Sequence, residues 1–214
     1  GLFYSAITDY LGFEPNEGEY KVMGLASFGQ PAYLELMRSM IWFEDGDFFI
    51  DESIFAYPSD PTAYLSAEAI ARLPKIKEPI AARQSVAANI AASAQSHLET
   101  LVIALISHYL SNTDQVVMLS GGVAQNVAMV SKICDAFAQI PIYVPPSPGD
   151  SGSAFGAACI LLGHERIALA NPHFPGQRRI NFSQSRFSGL IEYKSSDLNL
   201  AANVLQSGEP LAVL

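Results

Sequence analysis

The chain has 214 residues, half of them apolar and 15% charged, with a mean hydropathy of +0.21. That balance is the reverse of a disordered polymer's, and the length allows about one and a half domains with a real core. Twelve Lys and Arg against 21 Asp and Glu give a net charge of −9. A field of that sign repels polyphosphate, which sets aside general nucleic-acid and anionic-membrane binding but leaves room for a small anionic ligand in a local pocket.

Cys134 and Cys159 show no CxxC pairing. They make neither a disulfide framework nor a zinc ribbon, which fits a reducing, cytoplasmic setting. No apolar run reaches the ~18 residues of a membrane span, and the most apolar stretch, Leu101 to Leu110, contains Ser107 and His108. No basic segment precedes the first apolar residues, so no signal peptide is read there. The chain opens on Gly1 inside an apolar pattern and stops on Pro210 to Leu214, apolar and without a polar tail. Natural termini are usually polar and frayed, so a piece of a longer polypeptide is expected.

Apolar residues at 2, 3, 6, 7, 10 and 11 predict a helix ending at Gly12. Residues 14–29 are polar and Gly-rich and read as a flexible loop with a short helix. A helix follows over 31–43. The Asp45-Gly46 pair between aromatic residues predicts a hairpin turn. Residues 56–66 read as loop, and 67–73 as a short helix broken by Pro74 to Pro79. From Gln84 to Leu110 runs the longest helical signal, about 40 Å at ~1.5 Å per residue. Ala87, Ala88, Ala91, Ala92 and Ala94 make its first half slim enough to lie close against another element.

Val116 to Leu119 is an unbroken apolar run and predicts a buried strand. It meets Gly121-Gly122, then a helix from about Ala124 to Phe137. A second strand is expected at Ile142–Val144. A Pro/Gly loop and a helix of small residues over Ser153–Leu162 follow. This order gives an α/β layout. Residues 164–189 read as a linker, and 190–214 as strand, helix and strand opening a further domain. No internal repeat is visible.

Three segments carry possible chemistry. In Leu119-Ser-Gly-Gly-Val-Ala-Gln-Asn126 a strand runs through two glycines into a helix. Gly121 and Gly122 clear space for a ligand, the helix start offers N–H groups to an anion, and Asn126 is placed to hydrogen-bond a sugar or phosphate. The same glycines also suit a plain tight turn. In Pro145 to Gly156, Asp150 stands at the carboxyl end of a strand, where it can ligate a metal through oxygen or simply cap the next helix. In Glu17-Gly-Glu-Tyr-Lys21, two carboxylates and a lysine share one segment. They suit proton transfer and phosphate pairing, or a solvated loop with a weak ion pair. His97, His108, His164 and His173 read as structural or solvated. With no GxSxG, no Ser/His/Asp triad is argued.

Four segments in this order, GLFYSAITDYLGF, NEGEYKVMGLASFG, VVMLSGGVAQN and VPPSPGDSGSAFGAA, resemble the O-carbamoyltransferase family of nodulation-type, cephamycin-type and aminoglycoside enzymes. The resemblance covers about residues 1–163. It implies the C-terminal half of an actin/Hsp70/sugar-kinase-like ATPase fold, a linker at 164–189, and at 190–214 the start of a carbamoyl-adenylate-forming α/β domain. The implied activity joins carbamoyl phosphate and ATP into a carbamoyl-adenylate and passes the carbamoyl group to a hydroxyl of a small-molecule or sugar acceptor.

The resemblance further implies adenylate contacts at Gly1, Tyr4, Gly121, Gly122 and Asn126. It implies a divalent metal, often iron, on Asp150, and an acceptor site with Glu17, Glu19 and Lys21. The tRNA threonylcarbamoyl-transfer enzyme, which the resemblance places close in fold, has Asp where Tyr4 stands here. The family's HxxxH metal motif and its GPRALG-type adenylation motif are absent from these 214 residues, so this segment alone is expected to be inactive. A sugar- or acetate-kinase-like phosphotransferase of the same fold and a non-catalytic nucleotide-binding scaffold are the alternatives.

Overall fold

Residues 2–11 fold as their apolar spacing predicts. Helix α1 (Leu2–Tyr10) buries Phe3, Ala6 and Ile7, and the chain leaves it through Gly12 at φ +77°. The computed structural model describes residues 1–56, 63–77, 85–111, 116–161 and 163, all within one compact unit.

The segment expected as a mostly flexible loop is more ordered than its composition suggests. Glu19–Ala26 is helix α2, with Gly24 inside it. Burial of Val22 and Leu25 against the core outweighs the ~1 kcal/mol cost of a helical glycine. Helix α3 (Leu34–Met40) is shorter than the predicted 31–43. Residues after Met40 turn extended because strand β1 (Ile41–Glu44) pairs antiparallel with β2 (Asp47–Ile50), Trp42 facing Phe49. Asp45 at φ 51° and Gly46 at φ 94° make the predicted hairpin turn. Helix α4 (Ala67–Arg72) starts at Ser66, whose Oγ accepts from the Ala69 N–H at 3.1 Å.

Helix α5 (Val86–Tyr109) is the axis of the core and packs against α1, α2, α3 and β1. Ser85 caps it through Oγ on the Ala88 N–H. Ala87, Ala88, Ala91 and Ala94 are fully buried, and the slim face does what the sequence predicts. A methyl group on Gly29 would overlap the backbone of Ala88 and Asn89, so the chain crosses α5 at a distance only glycine permits. Side chains of α5 fasten that crossing. The Gln30 N–H donates to Asn89 Oδ1 at 2.8 Å and the Tyr33 N–H to Ser93 Oγ at 2.9 Å.

By length and composition α5 could cross a membrane, but half of its most apolar window is buried inside the fold, as in a core helix. His97, also on α5, is structural as expected. Its Nε2–H donates to the Ile41 carbonyl at 2.7 Å, its ring meets Phe3 edge-on, and its buried Nδ1 has no hydrogen-bond partner among the described residues.

Strands β3 (Val117–Met118) and β4 (Ile142–Tyr143) pair in parallel across helix α6 (Val127–Ala136). The 116–119 run is not the fully buried strand its sequence predicts. Val117 and Leu119 pack on the core while Val116 and Met118 are exposed among the described residues. The pleat sends alternate side chains to opposite faces, and one face only is covered. Helix α7 (Ser151–Leu161) is apolar all round and leaves Phe155, Ile160 and Leu161 exposed.

The result is a mixed α/β architecture. The expected linker at 164–189, the expected strands and helix at 190–214, and His164 and His173 lie outside the described residues.

Candidate functional site

The two strands of the parallel pair end side by side, so the loops that follow them share one edge. The Leu119 N–H donates to Tyr143 O at 2.9 Å, and beyond the strands the Gly121 N–H donates to Pro148 O at 2.7 Å. Gly121 has φ +97°, in the left-handed half of backbone space where a side chain is strained. A 3-10 turn, Gly122–Gln125, follows. Its first hydrogen bond runs from the Ala124 N–H to Gly121 O, which leaves the N–H groups of Gly122 and Val123 ahead of it.

That turn corrects the expected layout, in which the helix begins at about Ala124 directly after the glycines. The α-helix begins at Val127, and Asn126 is its N-cap, with Oδ1 accepting from the Met129 N–H at 3.0 Å. The side chain competes for the backbone N–H and sets the helix start three residues later.

A cavity of about 510 Å³ opens beside this edge. Helix α1 contributes Leu2, Tyr4 and Ser5, with Gly1 just before it. The turn before α2 contributes Asn16 and Glu17, and α2 itself Glu19, Tyr20 and Met23. The wall is completed by Leu98 of α5, by Gly122, Val123, Gln125 and Asn126, and by Gly149 and Asp150. Of the residues singled out in the sequence, the fold gathers Gly1, Tyr4, Glu17, Glu19, Gly122, Asn126 and Asp150 around this one space. Gly121 stands behind Gly122 and shapes the turn.

Lys21 is not part of the wall. It lies on α2, exposed, with its ammonium 5.8 Å from the Phe13 ring and 5.7 Å from the Tyr20 ring. A smaller cavity of about 220 Å³, lined by Gly1, Leu2, Phe3, Ile41, Ile50 and Phe55, carries no ionisable side chain.

The ionisable side chains on the wall differ in how they are held. Glu19 Oε1 accepts from Ser5 Oγ at 2.6 Å and from the Asn16 N–H at 2.8 Å, so this carboxylate ties α2 to α1 and to the turn before it. Glu17 and Asp150 are exposed, and neither carboxylate has a hydrogen bond or ion pair among the described residues. A side-chain cap by Asp150 on α7 is therefore not formed. Tyr4 is buried, and its hydroxyl donates to Gln95 Oε1 at 2.8 Å. Burial pushes this phenol far above the usual tyrosine range. Hydrogen bonding with Asn126 works the other way, and the charges of Glu99 and Glu19 add to the rise.

Gln95 and Glu99 escaped the sequence reading. Gln95 Nε2 donates to Glu99 Oε1 at 2.7 Å and to Asn126 Oδ1 at 3.0 Å, while Asn126 Nδ2 donates back to Gln95 Oε1 at 2.8 Å. The available signal was a lone amide on the alanine face of α5, four residues before a carboxylate. A polar group buried on such a face needs partners.

Residues 1–159 match the family model described as Carbamoyltransferase N-terminus. The chain belongs to the carbamoyltransferase family. This carbamoyltransferase-family chain is 30% identical over 208 residues to nodulation protein NolO of Bradyrhizobium diazoefficiens, covering 92% of this chain and 36% of that protein. Against nodulation protein NolNO of Sinorhizobium fredii it is 30% identical over 163 residues, 75% of this chain and 22% of that protein. An uncharacterized protein of Synechocystis, sll1178, is 34% identical over 166 residues, 74% of this chain and 26% of its own length. The carbamoyltransferase-family chain thus spans about a quarter to a third of the curated relatives it matches.

Proposed function

We propose that these residues form the transfer site of an O-carbamoyltransferase working in the cytoplasm. The substrates are carbamoyl phosphate and ATP, which lose phosphate and pyrophosphate respectively as they form a carbamoyl-adenylate, and a small molecule or sugar bearing a hydroxyl. The fold we assign is the C-terminal half of an actin/Hsp70/sugar-kinase-like ATPase domain spanning 1–163, with a linker at 164–189 and an adenylate-forming domain opening at 190–214. One observation carries this reading: seven of the nine residues that the family resemblance points to, all but Gly121 and Lys21, are drawn from segments far apart in sequence and line a single cavity of about 510 Å³.

In the transfer step the acceptor hydroxyl oxygen attacks the carbamoyl carbon. The bond from that carbon to the adenylate oxygen breaks, AMP leaves, and the hydroxyl proton passes to a carboxylate. Glu17 is suited to take the proton, because its carboxylate is unengaged and stands on the wall. Glu19, held by Ser5 and Asn16, fixes the acceptor side of the wall. Gly122 and the backbone N–H groups beside it are open to the phosphate of the leaving AMP. Lys21 is not among the residues that line the cavity and has no part in this assignment.

A divalent metal, iron by family resemblance, would find in Asp150 a carboxylate with no hydrogen bond or ion pair among the described residues. Among the described residues no three His, Cys, Asp or Glu side chains converge to hold an ion. These residues do not make a metal site on their own, and no step is routed through one.

The test is to incubate the full polypeptide with ATP, carbamoyl phosphate and hydroxyl acceptors and to separate the nucleotides formed. AMP together with a carbamoylated acceptor supports the transferase. ADP with a phosphorylated acceptor supports a kinase, and absence of nucleotide binding supports a scaffold.

A further inference from the structure

We propose that Gln95, which does not itself line the cavity, is a positioning residue that sets Tyr4 and Asn126 as a matched acceptor and donor on the cavity wall. The inference rests on the reading of that cavity as the nucleotide-binding transfer site.

The hydrogen-bond inventory decides which groups are left for a ligand. Glu99 is a carboxylate and can only accept, so the Gln95 group bonded to it at 2.7 Å is the amide nitrogen. That choice directs Gln95 Oε1 toward Tyr4 and Asn126. The Met129 N–H can only donate, so the Asn126 atom it meets is Oδ1. Both amides are thereby oriented without ambiguity.

Gln95 then spends everything it has. Its two N–H groups go to Glu99 and Asn126, and its oxygen takes the Tyr4 hydroxyl and the Asn126 amide. Asn126 Oδ1 is also full, between Gln95 and Met129. Beyond those bonds stand the second N–H of Asn126 and the lone pairs of the Tyr4 oxygen. The two groups lie next to one another, since the Tyr4 hydroxyl and the Asn126 amide nitrogen each sit 2.8 Å from Gln95 Oε1. Tyr4 and Asn126 line the cavity, and Gln95 and Glu99 do not. Gln95 is 6% exposed, so water does not substitute for its contacts. Loss of its amide frees Tyr4 to turn its proton outward and Asn126 to rotate, and the wall loses its defined polarity.

A carboxyl at position 95 separates positioning from bulk. Glutamate in place of Gln95 keeps the shape. Ionised, it has no proton for Glu99 or for Asn126 Oδ1. Protonated, it regains one donor. Crowding by Glu99 and burial both raise the pKa of such a group, so the competent form is present at low pH and lost as pH rises.

The experiment compares the full polypeptide with its Gln95→Glu and Gln95→Leu variants. ATP affinity is measured over roughly pH 5.5–8.5, and exchange of the Asn126 side-chain amide protons is followed by NMR. Gln95→Glu should bind ATP about tenfold more weakly than wild type at the alkaline end and recover most of the loss at the acid end. Gln95→Leu should be weakened at every pH. In both variants, at neutral pH and without ligand, the Asn126 side-chain protons should exchange faster than in wild type. A pH-independent ratio between Gln95→Glu and wild type overturns the proposal. If the wild type binds no ATP, the transfer-site reading fails while the exchange measurement still judges Gln95: unchanged exchange in the variants overturns its positioning role. Gln95→Glu carries both readouts if Gln95→Leu does not fold.

Discussion

The Gly121 N–H and the Pro148 carbonyl are hydrogen-bonded at 2.7 Å, so the turn after β3 and the turn after β4 are joined edge to edge. This bond brings Gly122 and Asp150 to one cavity although 28 positions separate them in sequence. The two turns meet because their strands run parallel as neighbours, which puts both carboxyl ends on one side.

The adjacent glycines of the first turn should respond differently to alanine. Gly121 sits at φ +97° and ψ 168°, a conformation almost confined to glycine, so Gly121→Ala strains the backbone and should cost about 1–3 kcal/mol in urea unfolding. A methyl on Gly122 meets no atom within 4 Å. Gly122→Ala should therefore leave the unfolding midpoint close to wild type while weakening ATP binding. Wild-type ATP affinity in Gly122→Ala would remove this glycine from the nucleotide site.

Two glycines in α7 should give opposite signs. A methyl on Gly152 runs into the backbone carbonyl of Ser147 rather than a flexible side chain, so Gly152→Ala should destabilise by about 1–3 kcal/mol. A methyl on Gly156 meets nothing within 4 Å inside the same helix, and Gly156→Ala should stabilise by up to ~1 kcal/mol. Paired urea melts measure both.

Asn126 caps α6 and holds Gln95 at once. Asn126→Ala loses the cap, at about 1 kcal/mol, and also leaves a buried Gln95 N–H without its acceptor. Asn126→Asp keeps an oxygen for the Met129 N–H and adds a favourable charge at a helix start. Its unfolding midpoint should lie between those of wild type and Asn126→Ala.

Tyr4 makes stability fall at alkaline pH. Its folded pKa is raised, chiefly by burial, above the ~10 of an unfolded tyrosine. Its stabilising contribution is complete below pH ~10, and above that the unfolded chain sheds the proton while the folded chain keeps it. Stability should drop as pH climbs past ~10, less steeply in Tyr4→Phe. Tyr10 shares the trend through its own burial, so part of the slope should survive in that variant. Denaturant melts across the alkaline range give the comparison.

His97 acts at the acid end. Burial holds its pKa below the ordinary ~6.5, with the Arg38 charge in the same direction and its bond to Ile41 in the opposite one. Its contribution is therefore present above pH ~6.5 and is lost as pH falls through the depressed value. His97→Gln should be less stable than wild type at pH ~7.5, and the gap should narrow toward pH ~5. A constant gap would show that His97 binds protons equally in the folded and unfolded states, so that burial does not depress its pKa.

Much of the local structure was legible in the sequence. The apolar spacing of 2–11, the Asp45-Gly46 turn and the long alanine-rich helix are all near-neighbour patterns, set by periodicity and turn chemistry. The start of α6 was misjudged because Asn126 reads as a ligand donor when its backbone geometry is not known. The 116–119 strand was misjudged because four apolar residues do not say which face is covered. Gln95 was missed because its partners, Tyr4 and Asn126, lie on two other helices.

The sequence by itself determined where helices and turns form and which glycines and carboxylates deserve notice, since backbone freedom and side-chain chemistry act locally. Only the tertiary structure decided that Glu17, Tyr4, Gly122 and Asp150 line one space while Lys21 does not. Which groups share a cavity depends on helix packing and on parallel strand pairing, and those contacts join positions that no sequence window contains.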